Sequence, residues 1–178
     1  MMNTKRIRSF AGSALAAFAL LALPFNLQGE SGPGVDLATL LDGKLMDAEG
    51  DPVSAAELKG KTVGLYFSAH WCPPCRGFTP KLSAFYQEQD NPNFELVFVS
   101  ADRSQKDAFK YMAEDNMTWY TVEWRSEPAN ALMESFAVKS IPTLVILNPE
   151  GNLITKMGRF DVEKNPDSAL AKWQVAGK

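Results

Sequence analysis

The stretch Ser68-Ala69-His70-Trp71-Cys72-Pro73-Pro74-Cys75-Arg76 holds both cysteines of this 178-residue chain, three positions apart. It follows an apolar run, Thr62–Ser68, rich in aromatic and branched residues, and it opens a segment in which Phe78, Leu82, Phe85 and Gln89 recur at helical spacing. A Cys-x-x-Cys pair that starts a helix just after a buried strand is the layout of a thiol–disulfide exchange centre. The helix N-terminus favours negative charge, so the first sulfur ionises near neutral pH. The second sulfur stands one turn away and closes a small disulfide ring.

Other uses of such a pair fit less well. A protein-only zinc site needs four ligands, and the chain offers two cysteines and one histidine, His70. No metal and no other cofactor is therefore expected. Structural bridges usually close longer loops, where the entropic gain is larger. A haem attachment motif needs histidine after the second cysteine, and Arg76 stands there.

Residues 1–29 read as a secretory signal. Lys5, Arg6 and Arg8 form a positive start, and Phe10–Leu23 is a 14-residue apolar stretch ended by Pro24. A membrane span needs roughly 20 apolar residues, so this stretch is short for an anchor. Cleavage is expected near Gly29, although no clean Ala-x-Ala site is present. Residues 30–34 read as a flexible leader and 35–178 as one domain. The expected location is periplasmic or secreted, where a thiol pair meets an oxidising environment. Without residues 1–29 the net charge moves from −3 to −6, which argues against nucleic-acid binding.

The rest of the chain alternates strands and helices. A short hairpin is expected within Val35–Pro52, from the loose alternation of Val35–Leu45 and the turns Asp42-Gly43 and Glu49-Gly50-Asp51-Pro52. A short helix capped by Ser54 runs through Leu58. Strands are expected at Glu95–Ser100, Trp119–Trp124 and Thr143–Leu147, with Asn152–Met157 as an antiparallel partner of the last. Helices are expected at about 73–89, Ser104–Asp115 (burying Ala108, Phe109 and Met112), Pro128–Phe136 and Pro166–Trp173. The pattern implies an α/β sheet covered on both faces.

Taken together, Phe67 to Pro80 and the segment Lys139-Ser140-Ile141-Pro142-Thr143-Leu144 resemble the thioredoxin superfamily, in its tryparedoxin and nucleoredoxin branch. The resemblance covers about residues 60–175. It implies a thioredoxin-like fold: a central mixed sheet flanked by helices, with an extra helix–strand insertion before a cis-proline loop. It also implies that Trp71 lies on the exposed rim, that Pro142 is cis and faces the cysteines, and that the Ile141 backbone pairs with an extended substrate. Pro80 matches the family's helix-kinking proline. Three departures stand out. Tyr66 occupies the place of the buried acid of plain thioredoxins, Ala101 stands near a tryptophan typical of the branch, and Glu123-Trp124 replace a proline of the inserted strand.

The expected roles follow. Cys72 attacks a substrate disulfide and Cys75 resolves the mixed disulfide. Trp71, Pro73, Pro74, Ile141 and Pro142 form the substrate-binding rim. Pro73 and Pro74 lack N–H groups, so of the next three amides only that of Cys75 is able to donate to the Cys72 sulfur. His70 reads as solvent-facing, with a proton shuttle or pH switch as the alternative, and Glu123 as a surface carboxylate, with an acid–base group as the alternative; Arg76 reads as solvated and Tyr66 as core. The expected partners are disulfide-containing protein substrates and a dedicated thiol electron donor, with no nucleic acid, and the chain is expected to be a monomer. The chemistry expected is reduction or exchange of protein disulfides. The alternatives are an oxidant that introduces disulfides, or a cytochrome-maturation, haem- or metal-handling binding module.

Overall fold

The computed structural model describes residues 34–177. The signal expected at 1–29 lies outside the described residues. The elements are α1 (Leu37–Leu40), β1 (Leu45–Met46), β2 (Pro52–Val53), a 3-10 turn (Ala55–Leu58), β3 (Thr62–Ser68), α2 (Pro73–Gln89), β4 (Phe94–Ser100), α3 (Gln105–Glu114), β5 (Tyr120–Val122), α4 (Glu127–Ser135), β6 (Thr143–Leu147), β7 (Leu153–Thr155), α5 (Gly158–Lys164) and α6 (Pro166–Ala176).

The seven strands form one mixed sheet in the order β2-β1-β5-β4-β3-β6-β7. β3 runs parallel to β4, and β4 to β5, while β6 pairs antiparallel with β3. All seven residues of β3 and of β4 are buried, because helices cover both faces. Their side chains alternate between two cores. Tyr66, Leu96, Phe98, Leu144 and Ile146 meet Phe78, Leu82 and Phe85 of α2, Tyr111 and Met112 of α3, and Trp173 of α6. Val63, Leu65, Phe67, Val97, Val99 and Val145 meet Leu37 of α1 and Leu132 of α4.

This register sets the site. Phe67 pairs with Thr143, so the end of β3 that leads into Cys72 lies beside the chain segment containing Pro142. Local signals fix the element ends. Ser54 caps the 3-10 turn by accepting from Ala56 N–H, and Ser104 and Ser126 cap α3 and α4 through Asp107 N–H and Ala129 N–H. Proline occupies the first turn of α2, α4 and α6, where its missing N–H costs nothing.

The structure differs from the sequence pattern at three points. The N-terminal hairpin is β1–β2 alone, while Leu37–Leu40 is a helical turn, because the Asp36 carboxylate accepts from Thr39 N–H. Residues 158–164 form a helix that the sequence pattern did not announce. In α3, Tyr111 is fully buried and Phe109 only partly so.

Candidate active site

β3 ends inside the sheet, between β4 and β6, the Cys72 N–H donates to Ala69 O at 3.2 Å in a tight turn, and α2 begins at Pro73. Cys72 thus sits as the N-cap of α2, and Cys75 lies in its first turn. The two sulfurs are joined as a disulfide, with Cα atoms 5.2 Å apart. Both cysteines are buried by residue, Cys75 completely and Cys72 with 4% exposure. Trp71 is 53% exposed and forms the rim, fixed by its Nε1–H donating to Ala101 O at 3.1 Å. Ala101 therefore contributes through its carbonyl, whatever its side chain. Pro73 and Pro74 are exposed on the first turn of α2.

The Ile141–Pro142 peptide bond is cis. Ile141 packs against Ala69, Cys72 and Cys75, and its carbonyl oxygen lies 3.8 Å from Cys72 Sγ. Of the expected rim residues, Trp71, Pro73 and Pro74 are exposed next to the cysteines in the chain, Ile141 packs against the disulfide from the cis-proline loop, and Pro142 is buried.

The Cys75 amide does not serve the Cys72 sulfur. It donates to the Cys72 carbonyl oxygen at 3.0 Å, and Arg76 N–H donates to the same oxygen at 3.1 Å. Among the described residues no amide donates to Cys72 Sγ, and a carbonyl dipole points its negative end at that sulfur. The helix N-terminus favours a thiolate and the Ile141 carbonyl opposes it.

Behind Cys75 lies a buried cluster of hydroxyls that the sequence reading did not find. Tyr66 OH and Thr79 Oγ1 are 2.7 Å apart, Ser68 donates to Tyr66 OH at 2.9 Å, Ser68 and Tyr111 hydroxyls are 3.1 Å apart, and Thr79 also bonds Tyr111. Thr79 donates its one proton to Cys75 O at 2.9 Å. Burial pushes the Tyr66 phenol well above its ordinary value, with the neighbouring Tyr111 adding to the rise. Burial likewise raises Tyr111. These phenols stay neutral and hold the cluster by hydrogen bonds, so the place taken by an acid in plain thioredoxins carries no proton acceptor here.

His70 is not simply solvent-facing. Its Nε2 lies 2.8 Å from Glu114 Oε2 on α3, and its N–H donates to Asp102 Oδ1 at 2.8 Å. Asp102 is buried, and burial raises its carboxyl above the usual range, although Ser100 and the His70 amide favour the charged form. Glu123 is paired with Lys44 at 2.5 Å. Arg76 is exposed and lines a shallow groove with His70, Trp71, Pro73, Gly77 and Asp115. Burial raises Asp115, and the Arg76 charge works against that rise.

A family model described as thioredoxin-like matches residues 60–153, a span that contains both cysteines and the cis-proline. The chain belongs to the thioredoxin-like family. Within it, the chain is similar to tryparedoxin of Trypanosoma brucei brucei, 41% identical over 142 residues that make up 77% of this chain and 96% of that protein. It is 37% identical to nucleoredoxin of Danio rerio over 84% of this chain, yet it spans about a third of the nucleoredoxins it matches. Among solved structures, a thioredoxin from Wuchereria bancrofti matches with a TM-score of 0.67 and 44% identity, over 75% of this chain and 95% of that one. A tryparedoxin II complexed with glutathionylspermidine matches with a TM-score of 0.67 and 36% identity, over 74% of this chain and 94% of that one. The chain is thus a thioredoxin-like oxidoreductase of the tryparedoxin and nucleoredoxin branch, and its α/β fold is the one expected from Phe67–Pro80 and the Ile141-Pro142 loop.

Proposed function

We propose that this thioredoxin-like oxidoreductase reduces or exchanges disulfides of other proteins outside the cytosol. The supporting observation is the asymmetry of the Cys72–Cys75 pair. Cys72 is the N-cap of α2 beside the exposed Trp71 rim, and Cys75 is fully buried one turn in. In the dithiol form, the Cys72 thiolate attacks one sulfur of a substrate disulfide and the other sulfur departs as a thiolate that takes a proton from water. Cys75 then gives its proton to water, its thiolate attacks Cys72 Sγ and breaks the bond from that sulfur to the substrate, and the departing substrate thiolate takes a proton from water. The Cys72–Cys75 disulfide forms, and the substrate leaves as a dithiol.

Two electrons have passed to the substrate, so each cycle needs a thiol donor to reduce the pair again. The Ile141 backbone beside the disulfide is the edge against which an extended substrate segment pairs. Export rests on the positive start and 14-residue apolar stretch of residues 1–29. The experiment is insulin-disulfide reduction by the purified chain under dithiothreitol, with Cys72→Ser as the control. Turnover that survives Cys72→Ser would remove the reading. Edman sequencing of the exported form should begin near Glu30.

A further inference from the structure

The segment Ala69–Cys72 carries the rim, and four contacts fasten it and the end of β3 to residues 101–114. Ala101 N–H donates to Ser68 O at 2.9 Å, His70 N–H to Asp102 Oδ1 at 2.8 Å, and Trp71 Nε1–H to Ala101 O at 3.1 Å. The fourth joins His70 Nε2 to Glu114 Oε2 at 2.8 Å, across 44 positions of sequence. The first three bonds are made whatever the charge of the imidazole. The fourth changes character with it. An ionised carboxylate only accepts, so Nε2 carries a proton in this contact. A second ring proton turns the hydrogen bond into an ion pair, and charge-assisted bonds are roughly twice as strong as neutral ones.

We infer that His70 and Glu114 form a latch that positions Trp71 and Cys72 for a substrate disulfide and tightens when the imidazole gains its second proton. His70 is a positioning residue here, acting through the loop and not on the sulfur. Histidine side chains change charge between about pH 5 and 8.

Charged and aromatic groups face the ring from three parts of the chain. From α3 come Glu114, Asp115 and the ring of Tyr111, whose centroid is 5.5 Å away, and Lys110 reaches the other Glu114 oxygen at 3.7 Å. Asp102 faces it from the β4–α3 connection, and Arg76 lines the same groove from α2. The partners are only partly buried, with 24% and 46% of their side chains exposed, so the effect is modest. Exposed or half-exposed pairs of this kind shift an equilibrium by about two- to fivefold.

The latch predicts weaker substrate binding as pH rises, with little change in the exchange step itself, because the bond between the His70 ring and Glu114 involves neither Cys75 nor a hydroxyl of the cluster behind it. The test is a double-mutant cycle of His70→Gln, Glu114→Gln and the double variant, reading KM and kcat for insulin reduction at pH 6 and pH 8. Glutamine keeps an N–H donor at position 70 without charge. All four proteins keep Cys72, so its ionisation cancels in the cycle. The expected result is a coupling in KM of about two- to fivefold at pH 6, close to none at pH 8, and little coupling in kcat. No coupling at pH 6, equal coupling at both pH values, or coupling carried by kcat would overturn the latch. The inference rests on Cys72 as the attacking thiol. No reductase activity in any of the four proteins would remove that reading and the latch together, whereas full activity without coupling removes the latch alone.

Discussion

The Tyr66 hydroxyl lies 2.7 Å from Thr79 Oγ1, and the Thr79 hydroxyl donates a hydrogen bond to the carbonyl oxygen of Cys75. The residue six positions before the first cysteine is thus wired to the second cysteine's backbone, not to its sulfur. Burial keeps the phenol neutral across the working range, so its role is to hold the first turn of α2 against β3. Tyr66→Phe should lower stability by about 1–2 kcal/mol, since Ser68 loses an acceptor and Thr79 a partner. Denaturant unfolding measures that loss. The pH profile of kcat should be unchanged, and a missing inflection in the variant would mark Tyr66 as a titrating participant.

Cys72 beside the rim and Cys75 buried behind it predict unequal trapping. Cys75→Ser should accumulate a mixed disulfide with substrate through Cys72, while Cys72→Ser traps none. Mass spectrometry of non-reduced adducts reads the outcome. Trapping by Cys72→Ser with none by Cys75→Ser would reverse the two roles.

Asp102 predicts a specific dependence on pH. Its folded-state carboxyl titrates above the ordinary aspartate value of about 3.9, chiefly through burial. The folded state therefore keeps this proton to higher pH than the unfolded state does. The stability it contributes is complete below the unfolded value and is lost as pH rises through the folded one. Asp102→Asn still accepts from His70 N–H but does not titrate. The Tm of the natural protein should fall relative to the variant as pH rises above the ordinary aspartate value of about 3.9, and a constant difference would contradict the assignment.

Much of this was legible in the sequence because it is local. The runs Thr62–Ser68 and Thr143–Leu147 are strands over those residues, and the helix expected from Pro73 to Gln89 has those bounds. Continuous apolar stretches and a double proline leave little freedom there. Leu37–Leu40 is not legible because four residues carry too little periodicity to separate a turn of helix from a strand, and the Asp36 cap decides. Residues 158–164 lacked a side-chain N-cap to announce a helix. The Glu114 partner of His70 and the Tyr111 member of the hydroxyl cluster lie 44 and 43 positions from the residues they meet. Packing of α3 against β3 creates those contacts, and no local pattern encodes them.

Gly151 predicts a stability effect remote from the chemistry. Its φ of +78° is one that side chains disfavour, and an added Cβ would lie 2.0 Å from Val35 O. Val35 N–H donates to Gly151 O at 3.0 Å, so the two backbones are in close contact. β6 ends nearby at Leu147, opposite Val63 and away from Cys72. Gly151→Val should cost about 2 kcal/mol or more in unfolding free energy. Insulin reduction at a temperature where the variant is folded should keep its natural rate, and a selective loss of rate would show that this corner reaches the active site.

The last expectation concerns direction of electron flow. An oxidising pair is one whose dithiol form is unusually stable, through a strongly stabilised thiolate on the attacking cysteine. Here Pro73 and Pro74 remove two amides, the Cys75 amide is committed to the Cys72 carbonyl, and the Ile141 carbonyl oxygen lies 3.8 Å from the sulfur. The α2 N-terminus alone favours the thiolate, and a macrodipole effect at a helix end is about 0.3–1 kcal/mol, up to about 2 in partly buried geometry. The pair should therefore have a potential nearer thioredoxin's, about −270 mV, than that of a strong oxidant, about −120 mV, a gap worth about 7 kcal/mol for two electrons. Equilibration with glutathione at pH 7 measures it. A value above about −180 mV, typical of disulfide isomerase, would overturn the reductant reading and favour the oxidant or isomerase instead.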